Sequence, residues 1–203
     1  MVLGGLSKRL RQCLYSLFLR ELRPTEADRI LDIGLTNEVE MVESNLFEQL
    51  YPVQERLVEL SIDSISGVKK TFPKVGLVQV DGLTLPFSDG TFDIVVSHAT
   101  LEHVGTRSAQ EKFVREMLRV GRQCFLTTPN RWFPLELHTF LPLLHYLPAR
   151  KHRRVLETLK MTLYAQEENL NLLTRRQLHA LFPTGKNVQI ITTLLRTNLV
   201  AIA

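Results

Sequence analysis

Short apolar runs alternate with helix-like segments between Arg29 and Leu126, and this alternation constrains the fold more than any other feature. Five runs rich in Val, Ile, Leu and Phe have the length of buried strands: Arg29–Gly34, Leu57–Ile62, Gly76–Val80, Phe92–Ser97 and Cys124–Thr128. Helical patterns separate them, at Val39–Leu50, Ser64–Lys70 and Ser108–Val120. Strands alternating with helices form βαβ units, so the sequence predicts an α/β fold with a parallel sheet. Right-handed crossovers place the carboxyl ends of the strands along one edge, where such sheets bind ligands.

The two ends of the chain have patterns of their own. Residues 5–22 have leucines at helical spacing and basic residues on other faces, which predicts an amphipathic helix. We favour its packing on the domain's own sheet over a membrane-surface or partner helix. Near the other end, Thr174 to Gln177 matches a capping box that opens a short helix before Pro183. Asn187–Leu195 and Asn198–Ala203 are strand-like and close enough to form a hairpin that closes the sheet.

Composition excludes several classes of protein. The 203 residues are 44% hydrophobic and 23% charged, which is typical of a globular chain and excludes intrinsic disorder. The longest run without Lys, Arg, Asp or Glu, Leu137–Ala149, is shorter than the roughly 18 residues of a membrane span. Two cysteines without metal-ligand spacing predict a reducing compartment, with no disulfide framework and no metal site. We expect no signal peptide and a cytoplasmic location.

Acidic and polar residues stand at the ends of three predicted strands. Asp32 and Gly34 close the first run, Asp81 and Gly82 follow the third, and Ser97-His98 end the fourth. An acid at a strand end can accept hydrogen bonds from a cation, and glycine there lets a ligand approach the backbone. For Asp32 alone, capping of the next segment explains the residue equally well. The order and spacing of all three sets favour a ligand bound along one sheet edge.

In these residues the chain resembles the class I S-adenosylmethionine-dependent methyltransferases, in particular the small-molecule, type 11-like enzymes. The resemblance covers residues 29–130 and rests on Leu31-Asp32-Ile33-Gly34, Asp81-Gly82 with Leu85-Pro86-Phe87, Phe92-Asp93 and Leu101-Glu102-His103-Val104. It implies a Rossmann-like, doubly wound, mostly parallel seven-stranded sheet with an antiparallel last strand and helices on both faces. It also implies S-adenosyl-L-methionine as the cofactor.

The same resemblance assigns cofactor contacts. It places four residues near the methionine moiety: Asp32, Gly34, Ser97 and His98. It places two residues beside the adenine: Asp81 and Gly82. For the ribose hydroxyls the nearest candidate acid is Asp63, with Glu59 as the competitor. Glu59 has a second interpretation as a solvated or edge residue, and Asp63 has one as the start of the next turn.

The first loop departs from the glycine-rich turn of the family. The chain reads Gly34-Leu35-Thr36-Asn37-Glu38, which lacks two of the expected glycines. This change implies either a narrower cleft or a rerouted loop in which Leu35, Thr36 and Asn37 approach the cofactor, with Thr36 and Asn37 as hydrogen-bond donors.

Methyl transfer requires alignment of the acceptor and, for some acceptors, its deprotonation. His98 and His103 follow the fourth strand and are the candidate general bases, although packing in a helix turn is an alternative for His103. On the acceptor side the candidates are Asn130, Arg131, Trp132 and His138, in a lid-like insertion over residues 130–172. The apolar lid beside the basic run at 150–154 favours a small-molecule or lipid-like acceptor, with an ordinary packed loop and solvated helix as the alternative.

The charges are segregated along the chain. Residues 1–23 carry 5 basic and 1 acidic residues, 24–148 carry 11 and 17, and 149–203 carry 9 and 3. An acidic middle suits a cationic cofactor, and the basic ends predict peripheral contact with an anionic membrane surface or acceptor. A non-catalytic binding module of the same fold is the second hypothesis. A nucleic-acid methyltransferase comes last, because no basic groove interleaved with aromatic residues is visible.

Overall fold

The computed structural model describes residues 2–35, 45–62, 66–167 and 169–203, without the side chains of 2–7 and Ser66. In those residues lie seven strands: β1 Ile30–Ile33, β2 Leu57–Ser61, β3 Gly76–Gln79, β4 Phe92–His98, β5 Gly121–Pro129, β6 Gln189–Thr192 and β7 Asn198–Ile202. They form one sheet in the order β3-β2-β1-β4-β5-β7-β6. The β1–β2, β1–β4 and β2–β3 pairs are parallel, and β6 and β7 are antiparallel. The predicted Rossmann-like fold is therefore confirmed.

Seven α-helices belong to the same described ranges: α1 Val2–Leu22, α2 Leu46–Leu50, α3 Ser66–Thr71, α4 Arg107–Val120, α5 Ala149–Thr158, α6 Thr162–Ala165 and α7 Arg175–His179. Short 3₁₀ turns cover Gln54–Arg56, Leu101–His103 and Leu144–Tyr146. The helix predicted over 39–50 is seen as α2, and its first part lies outside the described residues. Among the helices that the structure describes, none has both the length and the apolar character needed to cross a membrane.

The predicted final hairpin is present, with a shorter first strand than the sequence indicates. The strand ends at Thr192 because the chain turns at Thr193, whose N–H donates to the Asn198 carbonyl at 3.1 Å. The Thr193 hydroxyl accepts from the Asn198 N–H at 3.1 Å, and Arg196 has a left-handed φ of 58°. Residues 193–197 are therefore a turn, although Leu194 and Leu195 are apolar.

The chain divides into two compact units. Unit 1 comprises Met1–Val96 with Leu118–Phe125, and unit 2 comprises Ser97–Met117 with Leu126–Ala203. Residues 130–172 belong to unit 2 and contain α5 and α6. That the chain is one domain with a lid-like insertion stays a prediction.

An aromatic cluster fixes α1 to the rest of unit 1. Phe18 is fully buried, and its ring makes edge contacts with Phe47 of α2 and Phe125 of β5, at centroid distances of 5.1 and 5.5 Å. The Tyr15 hydroxyl donates to the Leu50 carbonyl at 3.1 Å. The helix that the sequence predicts over 5–22 therefore packs against its own unit by an apolar face.

In unit 2 the predicted capping box is confirmed. The Thr174 hydroxyl accepts from the Gln177 N–H, and the Gln177 side chain accepts from the Thr174 N–H, so α7 begins with both donors satisfied. Farther along the chain, Gln110 of α4 is fully buried and donates to the carbonyls of Leu101 and Asn171. These bonds hold the turn at 101–103 against the start of α4.

The loop between β3 and β4 depends on one arginine of unit 1. Arg119 donates from Nη1 to the Phe87 carbonyl at 2.7 Å and to Asp89 at 2.9 Å, and from Nη2 to the Leu85 carbonyl at 3.0 Å. Because Arg119→Ala leaves these acceptors without their donor, we expect it to lower the free energy of unfolding by about 1–2 kcal/mol, measured by urea titration.

Arg122→Ala is the matched control for this substitution. Arg122 is 71% exposed and pairs only at the surface with Asp93, at 3.1 Å. We expect Arg122→Ala to change the free energy of unfolding by less than about 0.5 kcal/mol. Equal effects of the two substitutions would contradict a special role of Arg119 in holding the loop.

Candidate functional site

The exit from β1 is tied to the end of β2 in unit 1. The Leu60 carbonyl accepts from the N–H groups of both Gly34 and Leu35, at 3.0 and 3.1 Å. The Ser61 hydroxyl donates to the Leu35 carbonyl at 2.8 Å, and the Leu35 side chain is buried. Gly34 itself is exposed and has a φ of 115°, which favours glycine. Gly34 thus offers an open backbone, whereas Leu35 contributes mainly to the core.

Three buried carboxyl groups meet beside this exit. They come from Asp32 of β1, Glu48 of α2 and Glu59 of β2, which are 6%, 3% and 0% exposed. One oxygen from each lies within 4.8 Å of the other two. Among the described residues, neither carboxyl oxygen of Glu59 has a hydrogen-bond partner. The interpretation of Glu59 as a solvated or edge residue is wrong, because β2 is an interior strand between β1 and β3.

Burial and mutual repulsion govern the protonation of this carboxyl cluster. Burial, reinforced by the charge of Glu48, raises the pKa values of both Asp32 and Glu59 well above their usual range. Burial also raises the pKa of Glu48. Three carboxylates at this distance cannot all ionise without a compensating positive charge, so the cluster holds protons or a cation.

The Asp81 carboxyl lies in the turn after β3. Its Oδ1 accepts from the Leu83 N–H at 2.9 Å, and the Asp81 carbonyl accepts from the Thr84 N–H. Asp81 is exposed and Gly82 is half-buried. One carboxyl oxygen therefore holds the turn while the exposed side chain can still accept from a ligand. Three further predicted cofactor contacts, Thr36, Asn37 and Asp63, lie outside the described residues.

Ser97 and His98 end β4 and belong to unit 2. Ser97 is fully buried, and His98 is half-buried with its Nδ1 atom 3.4 Å from the Thr127 hydroxyl. The Thr100 hydroxyl donates to the His98 carbonyl at 3.2 Å. The imidazole of His98 is thus held at the carboxyl end of its strand, as the sequence predicts for a polar strand end.

A second polar cluster of unit 2 surrounds the fully buried carboxyl of Glu102. Its Oε2 accepts from the Thr128 hydroxyl at 2.9 Å, while its Oε1 lies 4.0 Å from Nε2 of His103 and has no hydrogen-bond partner among the described residues. Burial raises the pKa of Glu102, against the opposing effects of His103 and His138. The His103 ring meets the His138 ring edge to face at 4.9 Å. The structure therefore brings two predicted residues, His103 and His138, together.

His138 is held by a buried glutamate two residues earlier. The Glu136 Oε1 accepts from the ring Nδ1 of His138 at 2.7 Å, and Glu136 also accepts from the N–H groups of His138 and Thr139. Burial raises the pKa of Glu136, but the bonds from His138 and Thr139 prevail and lower it to about 2. For His138, burial lowers the pKa while the Glu136 bond and the Glu102 charge raise it, and the net direction is upward.

The other predicted acceptor residues have structural bonds in unit 2. The Asn130 side chain donates to the Arg196 carbonyl and accepts from the Trp132 N–H, both at 3.0 Å. Arg131 donates to the Leu147 carbonyl at 3.0 Å. Trp132 is 52% exposed, with its ring edge-on to Tyr146. Asn130 therefore shapes the turn, and Trp132 offers an exposed apolar surface.

Sequence reasoning assigned no role to Glu48, Glu102 or Glu136. Their burial depends on contacts that no local pattern reports, so hydropathy gave no signal for them. For Glu136 a weak signal exists, since a glutamate two residues before a histidine can accept from both the N–H and the ring of that histidine.

Residues 31–123 match a family model described as a methyltransferase domain. Norajmaline N-methyltransferase of Rauvolfia serpentina is 49% identical to this chain over 77 residues, which are 35% of this chain and 25% of that enzyme. The matching segments span about a quarter of the length of the curated relatives.

Solved structures share the fold over most of the chain. A SAM-dependent methyltransferase of Methanosarcina mazei superposes with a TM-score of 0.56 at 17% identity, covering 91% of this chain and 93% of that one. A second structure is the 1,6-didemethyltoxoflavin-N1-methyltransferase of Burkholderia thailandensis, solved with bound 1,6-didemethyltoxoflavin and S-adenosylhomocysteine. It superposes with a TM-score of 0.57 at 13% identity, covering 96% of this chain and 77% of that one. At these identities the likeness shows a common fold.

Proposed function

We propose that this chain is a class I S-adenosylmethionine-dependent methyltransferase that transfers a methyl group to a small-molecule or lipid-like acceptor. The observation that carries the proposal is the carboxyl cluster of Asp32, Glu48 and Glu59. All three residues lie inside the segment that matches the methyltransferase model. A buried cluster of this kind selects against anionic ligands and favours a cationic one.

S-adenosylmethionine fits this donor set chemically. It carries a sulfonium and an ammonium group, and its ribose hydroxyls donate hydrogen bonds. The Glu59 oxygens accept from no described residue outside the carboxyl cluster, so they are acceptors that such a ligand can satisfy. We assign the methionine moiety to Asp32 and Gly34, with Leu35, Thr36 and Asn37 as further proposed contacts.

The adenine end is assigned to the turn after β3. Asp81 would accept from the adenine amino group and Gly82 would support the ring, while Asp63 is proposed for the ribose. The support is that Asp81 is exposed and uses only Oδ1 to hold its turn. In unit 2 the proposed contacts of the same cofactor are Ser97 and His98.

The cofactor, when bound, supplies an electrophilic methyl group on a cationic sulfur. The chain's part is to orient the reactants and to take a proton from the acceptor. His98 and His103 are the proposed proton acceptors. The 2.6 Å contact to the Asn169 carbonyl requires a proton on Nδ1 of His103, so the neutral ring keeps its lone pair on Nε2.

For the acceptor we propose contacts with Asn130, Arg131, Trp132 and His138. The exposed ring of Trp132 and the exposed apolar side chains Phe140, Leu143 and Leu163 of unit 2 support an acceptor with an apolar body. Peripheral contact of the basic ends with an anionic membrane remains part of the same proposal.

Calorimetry with S-adenosylmethionine and S-adenosylhomocysteine tests the cofactor assignment. We expect saturable binding of both, and we expect Asp81→Ala to weaken it about 10–100-fold, because one hydrogen bond to a charged group is lost. The matched control is Asp28→Ala, since Asp28 is a half-buried aspartate of unit 1 that likewise accepts from a backbone N–H, that of Thr25 at 2.7 Å. We expect Asp28→Ala to leave the affinity unchanged.

Two results would contradict the proposal. Absence of binding by either compound at millimolar concentration would favour the non-catalytic binding module instead. Equal weakening by Asp81→Ala and Asp28→Ala would show that loss of a turn, rather than loss of a ligand contact, causes the effect.

A further inference from the structure

We propose that Glu102, His103 and His138 of unit 2 form a binding site for a divalent transition-metal ion. One ligand atom from each of the three residues lies within 4.8 Å of the other two. The residues come from two separate stretches of chain, the turn at 101–103 and the segment before α5. Two imidazoles and one carboxylate are a ligand set that zinc and similar divalent metals use when further positions stay open to water or substrate.

Each of the three side chains has its other polar atom held by a neighbour. Nδ1 of His138 donates to Glu136 at 2.7 Å, and Nδ1 of His103 donates to the Asn169 carbonyl at 2.6 Å. Oε2 of Glu102 accepts from the Thr128 hydroxyl at 2.9 Å. Histidines that bind metals are commonly oriented in this way, by a carboxylate or a carbonyl on the second nitrogen. The two Nε2 atoms and the Glu102 Oε1 are therefore the atoms left to a cation.

The Glu102 carboxyl supplies an independent indication of a ligand. It is fully buried, and its Oε1 has no hydrogen-bond partner among the described residues. A buried carboxylate oxygen without a donor is costly unless something else satisfies it. A cation bound by His103 and His138 would do so.

The distances require a modest contraction on binding. Glu102 Oε1 and His103 Nε2 are 4.0 Å apart, whereas two ligands of a tetrahedral zinc ion with bonds of about 2.0–2.2 Å are roughly 3.4 Å apart. The His103 side chain is 40% exposed and can move inward without disturbing a core. The same exposure gives an ion an entry path from solvent.

Metal binding and proton acceptance at His103 exclude each other, because both use the lone pair on Nε2. The site does not depend on the proposed methyl transfer, since its ligands lie in unit 2 and its test needs no cofactor. It is therefore possible for either proposal to fail while the other holds, and the experiment is designed to show which.

The test is calorimetry with Zn²⁺ and visible absorption with Co²⁺, on the full chain freed of histidine tags and treated with a chelator. We expect one ion per chain and the absorption of low-coordinate Co²⁺. His103→Asn and His138→Asn should each weaken binding more than about 100-fold. Glu136→Gln, which removes the carboxylate that orients the His138 ring, should weaken it about 10–100-fold. His179→Asn is the matched control, because His179 is an exposed histidine of the same unit outside the cluster.

The proposal is overturned if binding is absent or not one to one, or if His103→Asn and His179→Asn bind alike. Since His103 is at the surface, its substitution should leave the circular dichroism spectrum and Tm unchanged, so that lost binding cannot be ascribed to unfolding. Calorimetry with S-adenosylmethionine in the presence of chelator separates the two proposals. Cofactor binding without metal binding overturns only the metal site, and the reverse result overturns only the cofactor assignment.

Discussion

We expect Phe18→Ala to lower the free energy of unfolding by about 3–5 kcal/mol, the range for a large aromatic ring removed from a core. Phe18 is fully buried, and its ring contacts Phe47 and Phe125 edge to face. The substitution removes the ring that joins α1, α2 and β5 within unit 1, and it leaves the Tyr15–Phe47 ring contact, at a centroid distance of 5.7 Å, to hold α1 against α2. Urea titration with a fluorescence or circular dichroism probe measures the change.

Leu19→Ala is the control on the same helix. Leu19 is 40% exposed, so its truncation should cost less than about 1 kcal/mol. Similar costs for Phe18→Ala and Leu19→Ala would mean that α1 does not dock on its own unit in solution. That result would support the alternative, in which α1 is a membrane-surface or partner helix.

Glu59→Gln should stabilise the ligand-free protein by about 2 kcal/mol at pH 8 and change little at pH 4–5. The carboxamide cannot ionise, and it can donate to the carboxyl groups of Asp32 or Glu48, within reach in the same cluster. The substitution therefore removes the negative charge of Glu59, whose oxygens accept from no described residue outside the cluster. Thermal unfolding across a pH series, in chelator, measures the effect, at roughly 2–4 °C per kcal/mol.

The direction with pH follows from the raised pKa values of Asp32 and Glu59. The folded chain keeps protons that the unfolded chain releases above its ordinary carboxyl pKa of about 4. The contribution of this cluster to stability is therefore highest below that pH and falls as the pH rises through the raised folded-state values. Glu59→Gln should flatten this fall.

Glu55→Gln makes the same charge change outside the cluster. Glu55 is exposed and pairs with Lys74 at the surface, at 2.9 Å, so solvent screening should make the effect of Glu55→Gln on Tm negligible at every pH. A loss of stability by Glu59→Gln at pH 8, greater than that of Glu55→Gln, would contradict the repulsion that we infer. If the cluster binds a cationic cofactor, Glu59→Gln should weaken S-adenosylmethionine binding and raise Tm. Such a trade-off between stability and function is common at binding sites.

Most of the sheet was predictable because its strands are nearly continuous apolar runs. All four ends of β1 and β2 were predicted to within one residue, since buried parallel strands are short apolar runs whose limits the flanking polar residues mark. The end of β6 was missed because the chain turns where Thr193 bonds Asn198, and the exposed Leu194 and Leu195 imitate a strand.

The site was predictable only where the family motif includes it. Asp32 and Asp81 were identified from their positions after strands, and the roles assigned to them stay predictions. Glu48 was not identified, and Glu102 was named in a family motif without a role, because an acidic residue is normally at the surface and only its tertiary neighbours make it buried. The packing of helices and turns on the sheet decides which acidic side chains become buried. Local sequence does not contain that information.

The Leu60 carbonyl, which receives the N–H groups of both Gly34 and Leu35, limits where this fold can vary in length. Together with the Ser61 bond to the Leu35 carbonyl, it clamps the chain through residue 35. Insertions or deletions between Ile30 and Leu35 would break this clamp, whereas changes of length directly beyond Leu35 need not disturb the first two strands. The long interval between β1 and β2 is thus compatible with an unaltered sheet, and its length can change between Leu35 and α2 without a shift in the register of the two strands.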